Sequence, residues 1–353
     1  MRAEVFVIGL GPAGASAAAE AARRGSSVLA VDRKRQAGRP VQCAEFVPVM
    51  VGMDVGNLGG CAQQPIRAMA TFVENDAPDI KEHFPGQMLD RAAFDAGLVD
   101  VARQAGARCR LGVSVRRIAA DGRVDLSDGS VVESAVIVGA DGPRSLAGRT
   151  IGQSNTALVE TRQITVPLLV PHQATDIFLS AEIPGGYAWL FPKGHVANLG
   201  AGVDPAHKPE LKDIVARLHA TLTESGRVGA QVLGTTGGLI PVGGMLMPWG
   251  RLANTLVLLA GDAAGLTNPV TGAGIASAVH SGRLAGRAAC DWIRGDRSAG
   301  PEYQDELESV FKVALDRAVR RRRELSEAFA TGMQPGKAAL RRGWIAYPEY
   351  WAA

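Results

Sequence analysis

Apolar and polar positions follow a strand, helix, strand order at the start of the chain. Residues 4–8 form a valine-rich run that predicts a strand, residues 15–24 have helical spacing, and residues 27–31 form a second apolar run. A glycine-rich segment over 9–14 separates the first strand from the helix, and Asp32 follows the second strand. This order predicts a βαβ unit of a nucleotide-binding sheet.

Further along, the pattern changes from alternating strands and helices to extended segments. A hairpin (66–74 with 79–83), a helix (91–104) and three short strands lead back to a buried strand of the first sheet. Extended segments then fill 157–203 and precede a helix near 211–224. Such a run of strands indicates an antiparallel sheet covered by a helix.

The chain then returns to the first domain through a core strand at 256–259 and a long helix rich in small residues at 274–293. We therefore predict an α/β fold with a Rossmann-like nucleotide-binding domain, an inserted antiparallel β-sheet domain for the substrate, and a short helical C-terminal tail. The predicted boundaries are 1–65, 91–155 and 246–295 for the first domain, 66–90 and 156–245 for the second, and 296–353 for the tail.

Composition narrows the function classes. The chain has 353 residues, of which 46% are hydrophobic and 21% charged, values typical of a folded, soluble protein. A net charge of +3 is too small to indicate a nucleic-acid partner. The four cysteines are far apart and form no CxxC pair, and the six histidines form no HxxxH or HxH pair, so neither a disulfide framework nor a metal centre is predicted. We expect a cytoplasmic protein without a transmembrane helix.

The glycine segment predicts a site for a dinucleotide. Gly9 permits a tight turn, Gly11 lets a pyrophosphate approach the backbone, and Gly14 lets the helix pack closely on the strand. The free N–H groups at the start of the helix attract phosphate, and Asp32 can accept hydrogen bonds from ribose hydroxyls. A glycine turn that serves only packing is the alternative.

Two later segments favour a flavin over a nicotinamide. Asp141 and Asp262 each follow a buried strand, at the edge where ligands of α/β sheets bind. Asp262 is suited to accept hydrogen bonds from a ribityl chain, which nicotinamide cofactors lack. A second glycine turn over 269–275 opens a helix, whose positive end could face the pyrimidine edge of a flavin.

Taken together, these motifs resemble the FAD-binding fold shared by aromatic hydroxylases of the p-hydroxybenzoate hydroxylase type, flavin-dependent halogenases and geranylgeranyl reductases. The resemblance covers residues 1 to about 295 and implies bound FAD. It also implies that Arg91 lies near the cofactor phosphates and that Val115 contacts the adenine. The predicted cofactor-binding residues are Gly9, Gly11, Ala13, Gly14, Asp32, Arg33, Cys43, Ala44, Arg91, Val115, Asp141, Gly142, Gly261, Asp262, Gly272, Gly274 and Ile275.

Two stretches resemble the geranylgeranyl reductase branch. Residues 39–46 look like the Pro-x-x-Cys-Gly-Glu segment of that family, with Ala44 in place of the glycine, and residues 184–192 match its PxxYxWxFP motif. The resemblance makes Cys43 and Glu45 candidate catalytic residues. An inert buried thiol and a solvated loop carboxylate are the alternatives.

The PxxYxWxFP match supplies the candidate substrate residues. Tyr187, Trp189 and Phe191 alternate, so in a strand their side chains share one face and can line an apolar cavity, although three ordinary core aromatics would show the same pattern. Pro192 is expected to end this strand at the rim of the cavity.

Our first functional hypothesis is an FAD-dependent reductase that delivers hydride to C=C bonds of an isoprenoid chain. The alternative is an FAD-dependent monooxygenase or halogenase-like enzyme acting on a tryptophan or phenol, free or within a peptide. A flavin-binding accessory protein is a third hypothesis. Because no second GxGxxG follows, NAD(P)H is expected to bind only transiently, or another protein supplies the electrons.

The tail suggests a further partner. Arginines over 317–323 are usually a solvated helix face, but with the aromatic residues over 344–351 they could dock on anionic lipid or on a protein. This predicts a peripheral contact made by the C-terminal tail.

Overall fold

The computed structural model describes residues 1–48, 60–330 and 334–352. The described part of the chain is an α/β fold with two large sheets, as the sequence predicts. Its strands are β1 (Val5–Ile8), β2 (Val28–Asp32), β3 (Phe46–Pro48), β4 (Ala62–Ile66), β5 (Ala68–Val73), β6 (Asp79–Lys81), β7 (Gly86–Leu89), β8 (Arg108–Leu111), β9 (Val115–Ile118), β10 (Val124–Leu126), β11 (Val131–Val132), β12 (Val136–Gly139), β13 (Leu158–Pro167), β14 (Ala174–Leu179), β15 (Ala188–Lys193), β16 (Val196–Val203), β17 (Gly234–Pro241), β18 (Trp249–Leu252) and β19 (Thr255–Leu259).

Of the nine α-helices in the described residues, five follow residue 274. The nine helices are α1 (Pro12–Arg23), α2 (Arg91–Gln104), α3 (Leu146–Thr150), α4 (Leu211–Glu224), α5 (Ile275–Ile293), α6 (Ala299–Leu307), α7 (Val313–Ala330), α8 (Lys337–Arg342) and α9 (Pro348–Trp351). A π-helical turn, Glu308–Lys312, joins α6 to α7, and short 3₁₀ turns cover Pro205–Glu210 and Gly261–Ala264.

The first large sheet has six strands in the order β18-β19-β12-β1-β2-β8. All pairs are parallel except β18 with β19. Helices α1 and α5 pack against each other at small residues: a Cβ on Gly282 would lie 2.1 Å from the carbonyl oxygen of Ala13, and one on Gly286 would lie 2.7 Å from that of Ala17. The alanine and glycine content of both helices therefore follows from their close approach.

The second large sheet has seven strands in the order β17-β13-β16-β15-β14-β5-β6. Helix α4 covers one face, where Ile214, Val215 and Leu222 join a core with Leu190 and Leu199. The predicted antiparallel sheet is confirmed, with one parallel pair, β5 with β14. Strand β5 comes from a distant part of the sequence, so no hairpin fixes its direction.

Two small three-stranded sheets complete the strand topology of the described residues. Strands β9, β10 and β11 form the expected meander, and β3, β7 and β4 form the second small sheet. This second sheet combines residues 46–48 and 62–66 with residues 86–89, so the predicted boundary between residues 65 and 66 runs through it. The domain boundaries themselves stay a prediction.

Candidate functional site

One cavity of about 1060 Å³ reaches from the first glycine turn to the seven-stranded sheet. Its volume exceeds the usual range for a drug-sized ligand, which leaves space for a dinucleotide together with a substrate. It brings together most of the predicted site residues. The predicted residues in its wall are Gly9, Gly11, Ala13, Asp32, Arg33, Cys43, Ala44, Glu45, Arg91, Val115, Asp141, Gly142, Tyr187, Trp189, Phe191, Asp262, Gly272, Gly274 and Ile275.

The glycine turn packs tightly at two of its glycines and leaves its backbone open to a ligand at the third. A Cβ on Gly14 would lie 1.8 Å from the carbonyl oxygen of Gly9, and one on Gly9 would lie 2.3 Å from that of Ala140, so both glycines serve packing. Gly11 differs, because a Cβ there would meet no atom within 4 Å although the residue lines the cavity. The space beside Gly11 fits the pyrophosphate of FAD.

Asp32 holds this turn in place through two hydrogen bonds. Its carboxylate accepts hydrogen bonds from the backbone N–H of Leu10 (2.8 Å) and of Lys34 (2.7 Å). The two oxygens keep further lone pairs and Asp32 lines the cavity, so the predicted contact with ribose hydroxyls is compatible with this role. Gly14 and Gly261 lie outside the cavity wall and act through close packing.

The two aspartates that follow buried strands have different surroundings. Asp141 caps α3: it accepts from Ser145 Oγ (2.5 Å) and from the backbone N–H of Leu146 (2.6 Å). Asp262 accepts from Thr267 Oγ1 (2.6 Å), and burial raises the pKa of its carboxyl. A polar, hydroxyl-rich ligand would satisfy Asp262 better than an apolar one, as expected for a ribityl chain.

The start of α5 completes the cofactor half of the cavity. Gly272 has φ +69°, a conformation that favours glycine, and Gly274 precedes the helix without a side-chain cap. The unpaired N–H groups of the first turn therefore remain available to a ligand, and Gly274, Ile275 and Ala276 line the cavity there.

Glu45 is a buried, fully paired carboxylate. It accepts from Lys193 Nζ (2.8 Å), Asn198 Nδ2 (2.9 Å) and the backbone N–H of Arg91 (3.1 Å). The alternative of a solvated loop carboxylate is therefore wrong. Ala44 stands where the family segment has glycine, but the residue with a left-handed backbone conformation is the next one, Glu45, with φ +69°.

Cys43 lies in the same loop and faces the cavity. Its Sγ accepts a hydrogen bond from the backbone N–H of Glu45 (3.1 Å), and its carbonyl oxygen accepts from Gln163 Nε2 (3.2 Å).

The side chain of Arg91 pairs with Asp95 (2.9 Å) at the start of α2. Arg91 thus reaches the cavity as part of an ion pair beside the Cys43 loop.

An aromatic wall forms the substrate half of the cavity. Tyr187, Trp189 and Phe191 lie on one face of the seven-stranded sheet, as their alternation predicts. The Tyr187 and Trp189 rings are 5.7 Å apart, and those of Trp189 and Phe191 are 6.3 Å apart. Tyr187 donates to the carbonyl oxygen of Thr271 (2.7 Å), and burial raises the pKa of its phenol. The phenol is therefore a neutral wall group.

Pro192 does not belong to this wall. The prediction that it ends the strand at the cavity rim is wrong, because β15 continues to Lys193 and Pro192 is paired with Ala197. Its side chain lies outside the cavity wall. The proline is tolerated because the pairing of β14 with β15 ends at Leu190, so no partner strand needs the missing N–H.

The C-terminal tail closes the aromatic wall from the other side. Trp344 is 3% exposed, and its ring centroid lies 4.8 Å from that of Tyr187. Tyr347 and Tyr350 are also buried, and Trp351 is 53% exposed. The expectation that this aromatic segment is free to dock elsewhere is therefore wrong for the first three rings, which pack inside the protein.

Sequence reasoning missed several residues of the wall. Gln163 accepts from Trp189 Nε1 (3.1 Å) and anchors the Cys43 loop, while Trp344, Ile345 and Arg322 come from the tail. The cluster of aromatic residues at the C-terminus was a signal for the tail's role. No local pattern singles out Gln163, since its function depends on contacts with distant segments.

Comparisons with known proteins identify the family of the chain. A family model described as FAD binding domain matches residues 2–184, and one described as geranylgeranyl reductase catalytic domain matches 158–239. Digeranylgeranylglycerophospholipid reductase 2 of Methanopyrus kandleri is 34% identical, over 93% of this chain and 87% of the relative. The digeranylgeranylglycerophospholipid reductase of Methanothrix thermoacetophila is 31% identical, over 93% and 88%.

Solved structures show the same fold. A geranylgeranyl bacteriochlorophyll reductase-like protein from Thermoplasma acidophilum superimposes with a TM-score of 0.84 at 23% identity, covering 99% of this chain and 97% of its own. PqsL of Pseudomonas aeruginosa, solved with 2-aminobenzoylacetate, superimposes with a TM-score of 0.71 at 17% identity, covering 94% and 99%. At these identities the likeness concerns the fold alone.

The glycine turn, the Asp262 loop and the matched domain define an FAD-dependent oxidoreductase. Within that class, the chain belongs to the geranylgeranyl reductase family. The predicted cofactor FAD and the predicted enzyme class are confirmed, and the relatives support the reductase interpretation over the monooxygenase alternative.

Proposed function

We propose that this chain uses FAD to reduce carbon–carbon double bonds of an isoprenoid-type substrate. The observation that carries the proposal is the continuity of one cavity, from the dinucleotide turn to the wall of Tyr187, Trp189 and Phe191. The names of the relatives, which are reductases of a digeranylgeranyl lipid, support it. When bound, FAD supplies the hydride; all other tasks fall to the protein.

The substrate half of the cavity aligns the chain and excludes water. The rings of Tyr187, Trp189, Phe191 and Trp344 offer an apolar surface on which a prenyl chain can lie. Two hydrogen bonds, from Tyr187 to Thr271 and from Trp189 to Gln163, fix ring positions. A fixed, dry wall lowers the entropy cost of presenting one double bond to the cofactor.

We propose that Cys43 donates the proton of the reaction and that Glu45 positions the Cys43 loop. Reduction of a double bond needs one hydride and one proton, and the Cys43 thiol faces the cavity. Glu45 pairs with Lys193 and Asn198 and also receives the Arg91 N–H, so it holds the Cys43 loop in place. The thiol would give its proton to the substrate carbon and regain it from solvent.

The electron donor and the cellular setting also belong to this proposal. NAD(P)H binding transiently, or a partner protein, would supply electrons, because the chain has no second dinucleotide motif. A cytoplasmic enzyme that meets lipid at a membrane surface through its basic tail fits an isoprenoid substrate. Among the described residues, no helix is both long enough and apolar enough to cross a bilayer.

The test is anaerobic turnover with dithionite as reductant and a digeranylgeranyl glycerophospholipid as substrate. We expect products that have gained two hydrogens per reduced double bond. Trp189→Ala should lower kcat/KM at least about tenfold, since part of the aligning wall is lost. Phe178→Ala is the control, because Phe178 stacks on Phe72 outside the cavity wall. Hydroxylated products formed only with oxygen would contradict the proposal.

A further inference from the structure

Arg322 is a cation placed in the substrate half of the cavity. It belongs to α7 and lies in the wall of the main cavity and of a small adjoining pocket that it shares with Tyr187 and Trp344. Its side chain is 14% exposed and that of its partner Asp204 is 37% exposed, so the guanidinium is mostly covered and lies next to a residue that borders solvent. Burial lowers the pKa of Arg322, although Asp204 opposes this effect.

The surroundings leave most of the donors of Arg322 unused. Within the described residues its hydrogen-bond partner is Asp204 Oδ1, at 2.7 Å, whereas a guanidinium carries five N–H groups. Asp204 is itself 37% exposed. It reaches Arg322 past Gly185, where a Cβ would lie 2.2 Å from the Asp204 carboxylate and where φ is +73°. The Pro184-Gly185-Gly186 turn thus allows one acceptor, the Asp204 carboxylate, to lie beside Arg322. The other N–H groups of the guanidinium can donate to further acceptors.

Among the residues that the structure describes, three further cations of the cavity wall lie in the cofactor half: Arg33 and Lys34 after β2, and Arg144 after the Asp141 turn. The fourth, Arg91 at the start of α2, is already paired with Asp95 beside the Cys43 loop. An anionic group attached to a chain on the aromatic wall would therefore meet Arg322 first. Planar guanidinium groups bind phosphate oxygens in a bidentate manner, which makes this pairing geometrically favourable.

We propose that Arg322 binds the phosphate of a phosphorylated isoprenoid substrate at the cavity rim. The inference rests on the proposed function, and it makes Arg322 a specificity-determining residue. The phosphate stays at the partly exposed rim, the prenyl chain lies along the rings of Tyr187 and Trp344, and the fixed head group sets which double bond reaches the flavin. Asp204 keeps the guanidinium oriented when no phosphate is bound.

The test compares two saturated ligands that differ only in the phosphate, phytanyl phosphate and phytanol. Binding to the oxidised holoenzyme is followed by difference spectra of the flavin, which requires no turnover. We expect Arg322→Gln to raise the Kd for phytanyl phosphate at least about tenfold, as for the loss of a charge-assisted hydrogen bond. The Kd for phytanol should not change.

The variant Asp204→Asn distinguishes phosphate binding by Arg322 from a purely structural latch, in which the Arg322–Asp204 ion pair only holds α7 against the sheet. A phosphate site predicts equal or tighter binding of phytanyl phosphate in Asp204→Asn, because a competing carboxylate is removed. A latch predicts that both variants weaken both ligands, and this result would overturn the inference. Inorganic phosphate alone should bind far more weakly than phytanyl phosphate, since it lacks the chain. If the wild type binds phytanyl phosphate through Arg322 but reduces no alkene, the proposed function fails while the site stands.

Discussion

The glycines of the first turn have different tasks at the residue scale. Gly14 touches the backbone of Gly9, whereas Gly11 borders open space in the cavity. Gly11 has φ −70°, which any residue adopts, so a side chain at this position costs no backbone strain. The two positions therefore separate packing from cofactor binding.

We predict that Gly11→Val folds normally but binds FAD at least about tenfold more weakly, because its side chain occupies the space of the pyrophosphate. Gly14→Ala should instead lower the free energy of unfolding by roughly 2–3 kcal/mol through overpacking. Flavin titration and urea denaturation of both apoproteins measure the two effects. A Gly11→Val protein with wild-type FAD affinity would show that the cofactor lies elsewhere.

The buried pair of Glu45 and Lys193 gives a second prediction. Glu45→Gln leaves the Lys193 ammonium without its carboxylate and should destabilise the protein by about 2–4 kcal/mol. The double variant Glu45→Gln with Lys193→Met should recover part of that loss, since no unpaired charge remains. Urea denaturation measures both; equal stability of Glu45→Gln and the wild type would mean that the pair does not hold the Cys43 loop.

His172 makes stability depend on pH. Burial lowers the pKa of this imidazole, but its contact with Asp176 (3.3 Å) outweighs burial, and the net pKa is raised. The folded protein thus binds the proton more tightly than the unfolded chain. The stabilisation is present below the unfolded pKa and is lost as the pH rises through the folded pKa.

We therefore expect wild type to exceed His172→Asn in stability most clearly at acidic pH, with the difference shrinking as the pH is raised from acidic to alkaline values. Thermal melting across this range in one buffer series is the measurement. Because Asp176 also pairs with Arg227, the variant should remain folded. A difference that grows with pH would reverse the assigned direction.

At the scale of elements, the tail helices form part of the substrate wall. Trp344 is buried against Tyr187, whereas Trp351 is exposed and stacks under Arg317 (5.1 Å). We predict that Trp344→Ala costs about 3 kcal/mol of stability and lowers kcat/KM, since it removes core packing and opens the cavity to water. Trp351→Ala should change neither, and it is the matched control.

Melting temperature and anaerobic turnover of these two variants measure the contribution of the tail. Equal effects of the two substitutions would mean that the tail does not close the cavity. Liposome flotation of Trp351→Ala adds a separate readout, because Trp351, at 53% exposure, is the aromatic ring of this segment most accessible to a membrane.

The elements also show what could be predicted from sequence. The alternation in β15 predicts its cavity face correctly, because a strand has only two faces and Ala188 and Leu190 are suited to the opposite one. The role of Trp344 was not predicted, because it depends on the path that the chain takes after α7. A helix with many arginines looks solvated in sequence, yet Arg321 is fully buried and donates to the carbonyl oxygen of Tyr350.

For the whole molecule, local motifs predicted the cofactor half better than the substrate half. The turn at Gly9, the Asp32 position and the Asp262 loop each lie within one short segment of sequence, so each could be identified locally. The substrate half is assembled from β14, β15, the Cys43 loop and the tail. Its composition follows from long-range packing, and this is why Gln163 and Arg322 were not expected.

The central claim for the whole molecule is that reduced FAD in this cavity passes electrons to an alkene. The most direct measurement mixes the dithionite-reduced holoenzyme, free of excess reductant and of oxygen, with a digeranylgeranyl glycerophospholipid and follows flavin absorbance. We predict that the flavin reoxidises at a rate that depends on lipid concentration, with one alkene reduced per flavin. A flavin that stays reduced with the lipid and reoxidises only when oxygen is admitted would contradict the account.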